Sequence, residues 1–215
     1  LDSVRKVGQS GTPILGVNTG RLGFLSSTPF EELEQAFLKV KNGEFQVDHR
    51  TLVKAETDEN LFGDENYALN EVSVHKSATS SMVVVNAYLD DFYLNTYWAD
   101  GLIISTPTGS TGYSLSTGGP IVAPGTNNFI ITPIAPHNLN VRPLVVSDHR
   151  KITLKIENTD PNFMISLDSQ SQVVKSHVEL QVSKAKFQVG LVRFGPNDYF
   201  DTLRGKLMWG IDRRN

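Results

Sequence analysis

Phe45-Gln46-Val47-Asp48-His49-Arg50-Thr51-Leu52-Val53-Lys54-Ala55-Glu56 decides how this chain is read. Phe45, Val47, Val53 and Ala55 alternate with Gln46, Asp48, Lys54 and Glu56, the period of two that marks a half-buried strand. Downstream, short strand patterns follow one another: 67–76, 82–89, 92–98, 101–105, 129–134, 151–157, 163–168, 177–182 and 186–194. Asp90-Asp91 reads as a tight hairpin turn between two of them. Many short strands separated by turn signals predict an all-β, sandwich-like domain over residues 49–195.

Upstream of that stretch the period is helical. Val4 and Val7 suggest the end of a helix, Gly11-Thr12-Pro13 a break, and Ile14-Leu15-Gly16-Val17 a buried strand. Thr28-Pro29-Phe30-Glu31 has the form of a capping box with proline at the first helical position. Phe30, Leu33, Phe37 and Val40 then line one face of a helix that Asn42-Gly43 stops, and that face is expected to pack into a core. Residues 1–48 therefore read as part of an α/β domain. A last helical segment, Tyr199 to Trp209, is expected to return to it, so that 196–215 completes the first domain. Leu1-Asp2-Ser3-Val4 reads as the middle of a helix, and further residues are expected before Leu1.

Composition narrows the function classes. The 215 residues are 39% hydrophobic and 20% charged, ordinary for a globular protein with a sizeable core. A formal charge of −3 gives no overall pull toward nucleic acid or an anionic membrane, although 204–214 is locally basic. With no cysteine there is neither a disulfide framework nor a thiol site, which suits a cytoplasmic protein. No apolar run approaches the ~18 residues of a membrane span. The five histidines have no metal-ligand spacing, and no Gly-x-Ser-x-Gly elbow supports a hydrolase.

Three segments carry chemistry. Asp100-Gly-Leu-Ile-Ile-Ser-Thr-Pro-Thr-Gly-Ser-Thr-Gly-Tyr-Ser-Leu-Ser-Thr-Gly-Gly-Pro120 runs from a short apolar strand into a loop of hydroxyls and glycines. A short helix follows, which Gly118-Gly119-Pro120 would stop. Glycines let a backbone approach a ligand, and hydroxyls with free N–H groups are the donors that phosphate and ribose oxygens need. No lysine follows the glycines, so this is not a Walker loop. Gly16 to Leu25, with glycines at 16, 20 and 23, has the same permissive character and offers Phe24 as a ring face. In Leu69-Asn70-Glu71-Val72-Ser73-Val74-His75 an amide and a carboxylate are adjacent. In a strand they would diverge, whereas at a strand end or bulge both can converge on a ligand.

In this order the residues resemble the NAD kinase family: Gly16-x-Asn18-x-Gly20-x-Leu22-Gly23-Phe24-Leu25, then Asn70-Glu71, then Asp100 to Tyr113, then Ser116 to Pro120. Thr132-Pro133-Ile134-x-Pro136-His137, Arg142-Pro143-Leu144, Leu203-Arg204 and Trp209-Gly210 with Asp212-Arg213 complete the pattern. The resemblance implies an α/β N-terminal domain, a sandwich-like C-terminal domain, and transfer of a phosphoryl group from ATP or polyphosphate, with Mg2+ or another divalent metal, to the 2′-hydroxyl of NAD's adenosine ribose. It further implies that Asn70 and Glu71 hold the adenosine of NAD. Thr111, Gly112, Tyr113 and Ser116 would line the adenine and nicotinamide pockets, with Thr108 near the phosphates. Asp100 would bind the amide or adenine across a subunit interface in a dimer or tetramer. Phe24 would lie near the reactive end, and Asp168 would enter the site.

The family's Gly-Gly-Asp-Gly-Thr motif, whose Asp acts as base, is expected upstream of Leu1; it is not within these residues. Two alternatives stay open at this point. One is a lipid kinase of the diacylglycerol or sphingosine type, and the other a catalytically incomplete NAD-binding fragment.

Overall fold

The computed structural model describes residues 1–20, 24–26, 28–76, 82–157, 162–175, 177–195 and 199–208. In chain order the elements are α1 (Asp2–Val7), β1 (Val17–Asn18), β2 (Thr28–Pro29), α2 (Leu33–Lys41), β3 (Gln46–Thr57), β4 (Tyr67–Ala68), β5 (Glu71–Lys76), β6 (Val83–Leu89), β7 (Phe92–Ala99) and β8 (Gly101–Ser105). They continue with α3 (Tyr113–Ser116), β9 (Asn128–Ile134), β10 (Leu144–Ser147), β11 (Ile152–Glu157), β12 (Asn162–Leu167), β13 (Gln170–Lys175), β14 (Val178–Arg193) and α4 (Tyr199–Leu207).

The chain divides into two compact units, Leu1–Lys6 with Thr51–Gln188 and Val7–Arg50 with Val189–Asn215. The larger is built on two six-stranded sheets, ordered β10-β9-β8-β5-β12-β13 and β4-β3-β14-β11-β6-β7. All five pairings of the first sheet are antiparallel. Their inner faces share one core, in which Val72, Val74, Leu102, Ile104, Phe129 and Ile131 of one sheet meet Val83, Val85, Leu154, Ile156, Leu180 and Val182 of the other. Most of these side chains are fully buried, so the apolar half of the alternating pattern is what joins the sheets. Leu154→Ala is expected to cost about 2–5 kcal/mol, because the site can collapse only partly around the lost volume. Urea unfolding measures it.

Most strands fall within a residue or two of their sequence patterns. The tight turn at Asp90-Asp91 has positive φ at both residues, 48° and 68°, as a type I′ hairpin requires. Four differences have physical causes. The 67–76 pattern is not one strand: it breaks at Leu69-Asn70, where the chain leaves one sheet and enters the other. The 177–182 and 186–194 patterns are one 16-residue strand, since the polar pair Ser183-Lys184 interrupts the apolar pattern but not the hydrogen bonding. β13 is polar along Gln170-Ser171-Gln172 and is recognised only through its pairing with β12. β10 follows the loop of 135–143 and is an edge strand paired with β9.

In the smaller unit β1 and β2 pair in parallel, and Ile14 joins Leu191 in a parallel bridge, so the expected strand 14–17 is reduced to Val17–Asn18 plus that bridge. Thr28 does not cap α2. It lies buried in β2, and a single 3-10 turn, Phe30–Glu32, precedes the helix without a side-chain cap. The expected core face of the helix is also corrected. Ala36 is buried at 3% exposure, whereas Phe30, Phe37 and Val40 are 57%, 67% and 36% exposed. Helical spacing reports which face is apolar, not whether a neighbour covers it. Phe37→Ala is accordingly expected to change stability by less than about 0.5 kcal/mol, in contrast to Leu154→Ala.

Candidate functional site

The site grows from β5. Its residues alternate faces, so Val72 and Val74 enter the core while Glu71, Ser73 and His75 share the opposite face. On that face His75 Nε2 lies 2.8 Å from Ser73 Oγ, and the His75 ring stacks on Tyr113 at 5.7 Å with an interplanar angle of 23°. Tyr113 begins α3 and is 41% exposed, a ring face backed by imidazole and open to solvent. Burial pushes the His75 pKa below its ordinary value, so the imidazole stays neutral at neutral pH.

β8 lies beside β5 in antiparallel register, with Glu71 opposite Ser105 and His75 opposite Gly101. From Ser105 the hydroxyl-rich loop folds back over the start of β5. Thr106 Oγ1 donates to the Leu69 carbonyl at 2.6 Å, and the Thr106 N–H donates to the Asn70 carbonyl at 2.8 Å. Gly109 packs directly on Asn70: a Cβ there would lie 2.1 Å from the Asn70 oxygen. The loop then makes a 3-10 turn at Gly109–Thr111 and runs into α3, and the chain passes Gly118 at φ 87°. Ser110 Oγ donates to the carbonyls of Pro107 and Val122, and Ser114 Oγ lies 2.9 Å from Thr132 Oγ1. Most of the hydroxyls that looked like ligand donors therefore hold the loop itself. Thr111 Oγ1 bonds the Thr108 carbonyl, Thr108 is buried, and Ser116 is exposed on α3.

Asn70 and Glu71 converge as a strand end allows. A Cβ on Gly112 would stand 3.4 Å from Glu71 Oε2 and 3.8 Å from Asn70 Nδ2, so both side chains border the same small region beside the loop. The Tyr113 backbone N–H donates to the Glu71 carboxylate, but Oε2 is buried without a hydrogen-bond partner. Burial, with the Asp168 charge second, pushes the Glu71 pKa up to about 7. A buried carboxylate oxygen with no partner is costly, and a ligand hydroxyl or amine would relieve that cost.

Asp168 occupies the turn between β12 and β13. Its carboxylate accepts from the backbone N–H groups of Leu69 (2.8 Å), Asn70 (2.9 Å) and Glu71 (3.1 Å). The structure thus brings together Asn70, Glu71, Gly112, Tyr113 and Asp168. Asp100 lies apart: it follows β7 at the far end of the β5–β8 pair, level with Lys76 and about 17 Å along the strand from Glu71. There its carboxylate pairs with Lys76 Nζ at 2.7 Å. Phe24 belongs to the smaller unit, where Lys206 Nζ stands 5.9 Å from its ring. The closing residues Trp209, Gly210, Asp212 and Arg213, and 21–23 of the first glycine motif, lie outside the described residues. His75 was missed in the sequence because a lone histidine has no partner until the fold stacks it on Tyr113.

Among the described residues no three His, Asp or Glu side chains form a metal-ligand group, and no helix is long and apolar enough to cross a membrane. A family model for the ATP-NAD kinase C-terminal domain matches residues 69–194. Two similar chains are NAD kinases of Cytophaga hutchinsonii, 53% identical, and Flavobacterium psychrophilum, 46% identical; each comparison covers all of this chain and 74% of the relative. Among solved structures, a yeast NADH kinase complexed with NADH superposes with a TM-score of 0.86 at 27% identity, over 93% of this chain and 61% of that one. An NAD kinase from Archaeoglobus fulgidus in complex with ATP gives 0.76 at 32% identity, over 91% and 74%.

Proposed function

The chain belongs to the NAD kinase family, and on that premise we propose that it transfers a phosphoryl group from ATP to the 2′-hydroxyl of the adenosine ribose of NAD, giving NADP. The observation that carries the acceptor-site reading is the buried, unpartnered Glu71 Oε2 beside Asn70 and Gly112. A carboxylate and an amide side by side accept from and donate to the hydroxyl and amino groups of an adenosine. Tyr113, backed by His75, supplies a stacking face for a base or nicotinamide ring. Gly112 leaves room for close approach, Thr111 and Ser116 line the adenine and nicotinamide pockets, and Thr108 lies toward the phosphates.

Asp100, distant along β5, acts from a second protomer in a homo-oligomer, a dimer or tetramer. The resemblance assigns Phe24 to the reactive end. The domain assignment proposed is a partial α/β domain over 1–48 that 196–215 completes, with 49–195 as the β-rich domain. The resemblance assigns the general base to a Gly-Gly-Asp-Gly-Thr segment that these 215 residues do not contain. Positioning and charge neutralisation contribute most to phosphoryl transfer, and the residues here supply the positioning of the acceptor. ATP as donor is supported by the ATP complex of the archaeal neighbour, with polyphosphate a further donor. The divalent cation is assigned to the donor's phosphates. The absence of cysteine and the soluble character of the substrates suit the cytoplasm. A polar, hydroxyl-lined site fits a dinucleotide better than the acyl chains of a lipid kinase substrate.

The test is formation of NADP from NAD, ATP and Mg2+ by the protein carrying that Gly-Gly-Asp-Gly-Thr segment, paired with thermal shifts for NAD, NADP, ATP and a diacylglycerol. NADP formation with a raised midpoint for NAD is expected. A shift for the lipid alone, or no phosphorylated dinucleotide, would overturn the reading.

Binding is expected to depend on pH through Glu71. Hydroxyl donors of the ligand favour the ionised carboxylate, so the bound pKa falls below the free value of about 7. Affinity for NAD should therefore weaken as pH drops below about 7, approaching tenfold per unit at its steepest. The charged group that acts on Glu71 is Asp168 from the β12–β13 turn, while α3 contributes the Tyr113 N–H. Calorimetric titration from pH 6 to 8 measures this, and Glu71→Gln should flatten the profile.

A further inference from the structure

Between Ala68 and Glu71 the chain turns from one sheet into the other, and three successive N–H groups there have no strand to bond. Unpaired buried N–H groups are rare because each forfeits a bond that water would have supplied. Here one carboxylate satisfies all three. Asp168 Oδ2 accepts from Leu69, and Oδ1 accepts from both Asn70 and Glu71, across 97 to 99 residues of sequence. The Asp168 N–H donates in return to the Glu71 carbonyl at 3.1 Å. On the other side of the same peptides Thr106 holds the Leu69 and Asn70 carbonyls. The corner is gripped along both backbone edges, and of its two polar side chains only Glu71 bonds the protein, accepting the Tyr113 N–H.

The ordinary explanation for Asp168 is its turn. Aspartate tolerates the left-handed region, and φ here is 49°. That accounts for the residue type but not for where its carboxylate points. The turn is anchored as well: Ser169 Oγ donates to Asp2 Oδ1 of α1 at 2.8 Å.

We infer that Asp168 is a positioning residue, whose carboxylate fixes the Leu69–Glu71 backbone so that the Asn70 amide and Glu71 carboxylate present themselves together to the acceptor nucleotide. This rests on the acceptor-site reading of Asn70 and Glu71. It replaces direct ligand contact by Asp168, because three of the four acceptor positions of its carboxylate are already filled by the protein.

Amide hydrogen exchange in the unliganded native protein tests the clamp without any ligand. The N–H groups of Leu69, Asn70 and Glu71 are expected to be protected although no strand bonds them, and exchange at open-loop rates would overturn the proposal. Asp168→Asn retains one acceptor oxygen and turns an NH2 toward a backbone donor. It should speed exchange of these three amides tenfold or more while the amides of β8 stay as they were. In the same variant the Michaelis constant for NAD should rise at least tenfold, with the turnover number changed less than threefold.

A double-mutant cycle separates positioning from contact. In an Asn70→Ala/Glu71→Gln background Asp168→Asn should change that Michaelis constant less than threefold, because its effect passes through those two side chains. Additive effects would mean that Asp168 touches the nucleotide itself, and an unchanged constant in a folded variant would remove the proposal. If the Asn variant does not fold, Asp168→Glu, which keeps the charge and lengthens its reach, replaces it with the same expected split. Should the protein leave NAD unphosphorylated while the three amides are protected, the functional reading fails and the clamp stands.

Discussion

Glu71→Gln is expected to make the unliganded protein more stable at pH 8 and to weaken NAD binding about 100-fold. Both effects come from one oxygen, Oε2, which is buried without a partner. The folded pKa of Glu71, about 7, lies above its ordinary value of 4.5. For a raised carboxyl the favourable contribution is complete below the unfolded pKa and is lost as pH rises through the folded one. Wild type should therefore lose stability between about pH 4.5 and pH 7 relative to the Gln variant. The full linkage value of such a shift is about 3 kcal/mol, and because Gln still buries an amide the expected gain at pH 8 is about 1–2 kcal/mol.

Binding runs the other way. Hydrogen bonds to a charged acceptor contribute about 1.5–3 kcal/mol each, so removing the charge gives the loss of about two decades. Urea unfolding at pH 5 and pH 8, with calorimetry for NAD, measures both halves. Equal affinity in the two proteins would remove Glu71 from the site; equal stability at pH 8 would mean that its carboxylate is better solvated than the structure has it.

Gly109→Ala should be the most damaging single methyl group in the sandwich. A Cβ at this position would stand 2.1 Å from the Asn70 oxygen, 2.6 Å from its carbonyl carbon and 2.7 Å from its Cα. All three are backbone atoms, so no side chain can swing aside. Either the Thr106–Gly112 loop lifts, breaking the Thr106 bonds to the Leu69 and Asn70 carbonyls at 2.6 and 2.8 Å, or the Asn70 peptide moves and takes the Asn70-Glu71 pair with it. Overpacking of this kind costs about 1–3 kcal/mol, and a shift of about 1 Å at a positioned group can lower turnover about 100-fold. Gly118→Ala is the comparison. It has open space around its Cβ and carries only the strain of φ 87°, about 1 kcal/mol, and it should leave the kinetics near wild type. Thermal unfolding and NADP formation by the two variants decide the matter; similar kinetics for both would mean that the loop does not need to touch Asn70.

Legibility in the sequence followed the range of the interaction. The strand patterns and the Asp90-Asp91 turn could be read because each reflects preferences of residues that are near neighbours. Asn70-Glu71 could be picked out as a pair, and the strand-end condition for their convergence was the geometry that the fold supplied. The exposed α2 face and the buried Thr28 show the limit: local pattern named an apolar stripe and a capping residue, while the partner of each was set elsewhere. In the same way the loop hydroxyls of Thr106, Ser110 and Ser114 were chemically suited to a ligand, yet the fold turned them onto the protein's own carbonyls and hydroxyls.

By itself the order of motifs along the chain determined the family, and the change from helical to alternating period determined that the greater part of the chain is β-rich. Only the tertiary structure decided that Asp168 grips a corner nearly a hundred residues away, that His75 backs Tyr113, and that one Glu71 oxygen is left in need of a partner. The reason is physical: periodicity records what each residue prefers of its immediate backbone and of water. Which strands lie side by side, and in what register, depends on the closing of the whole core.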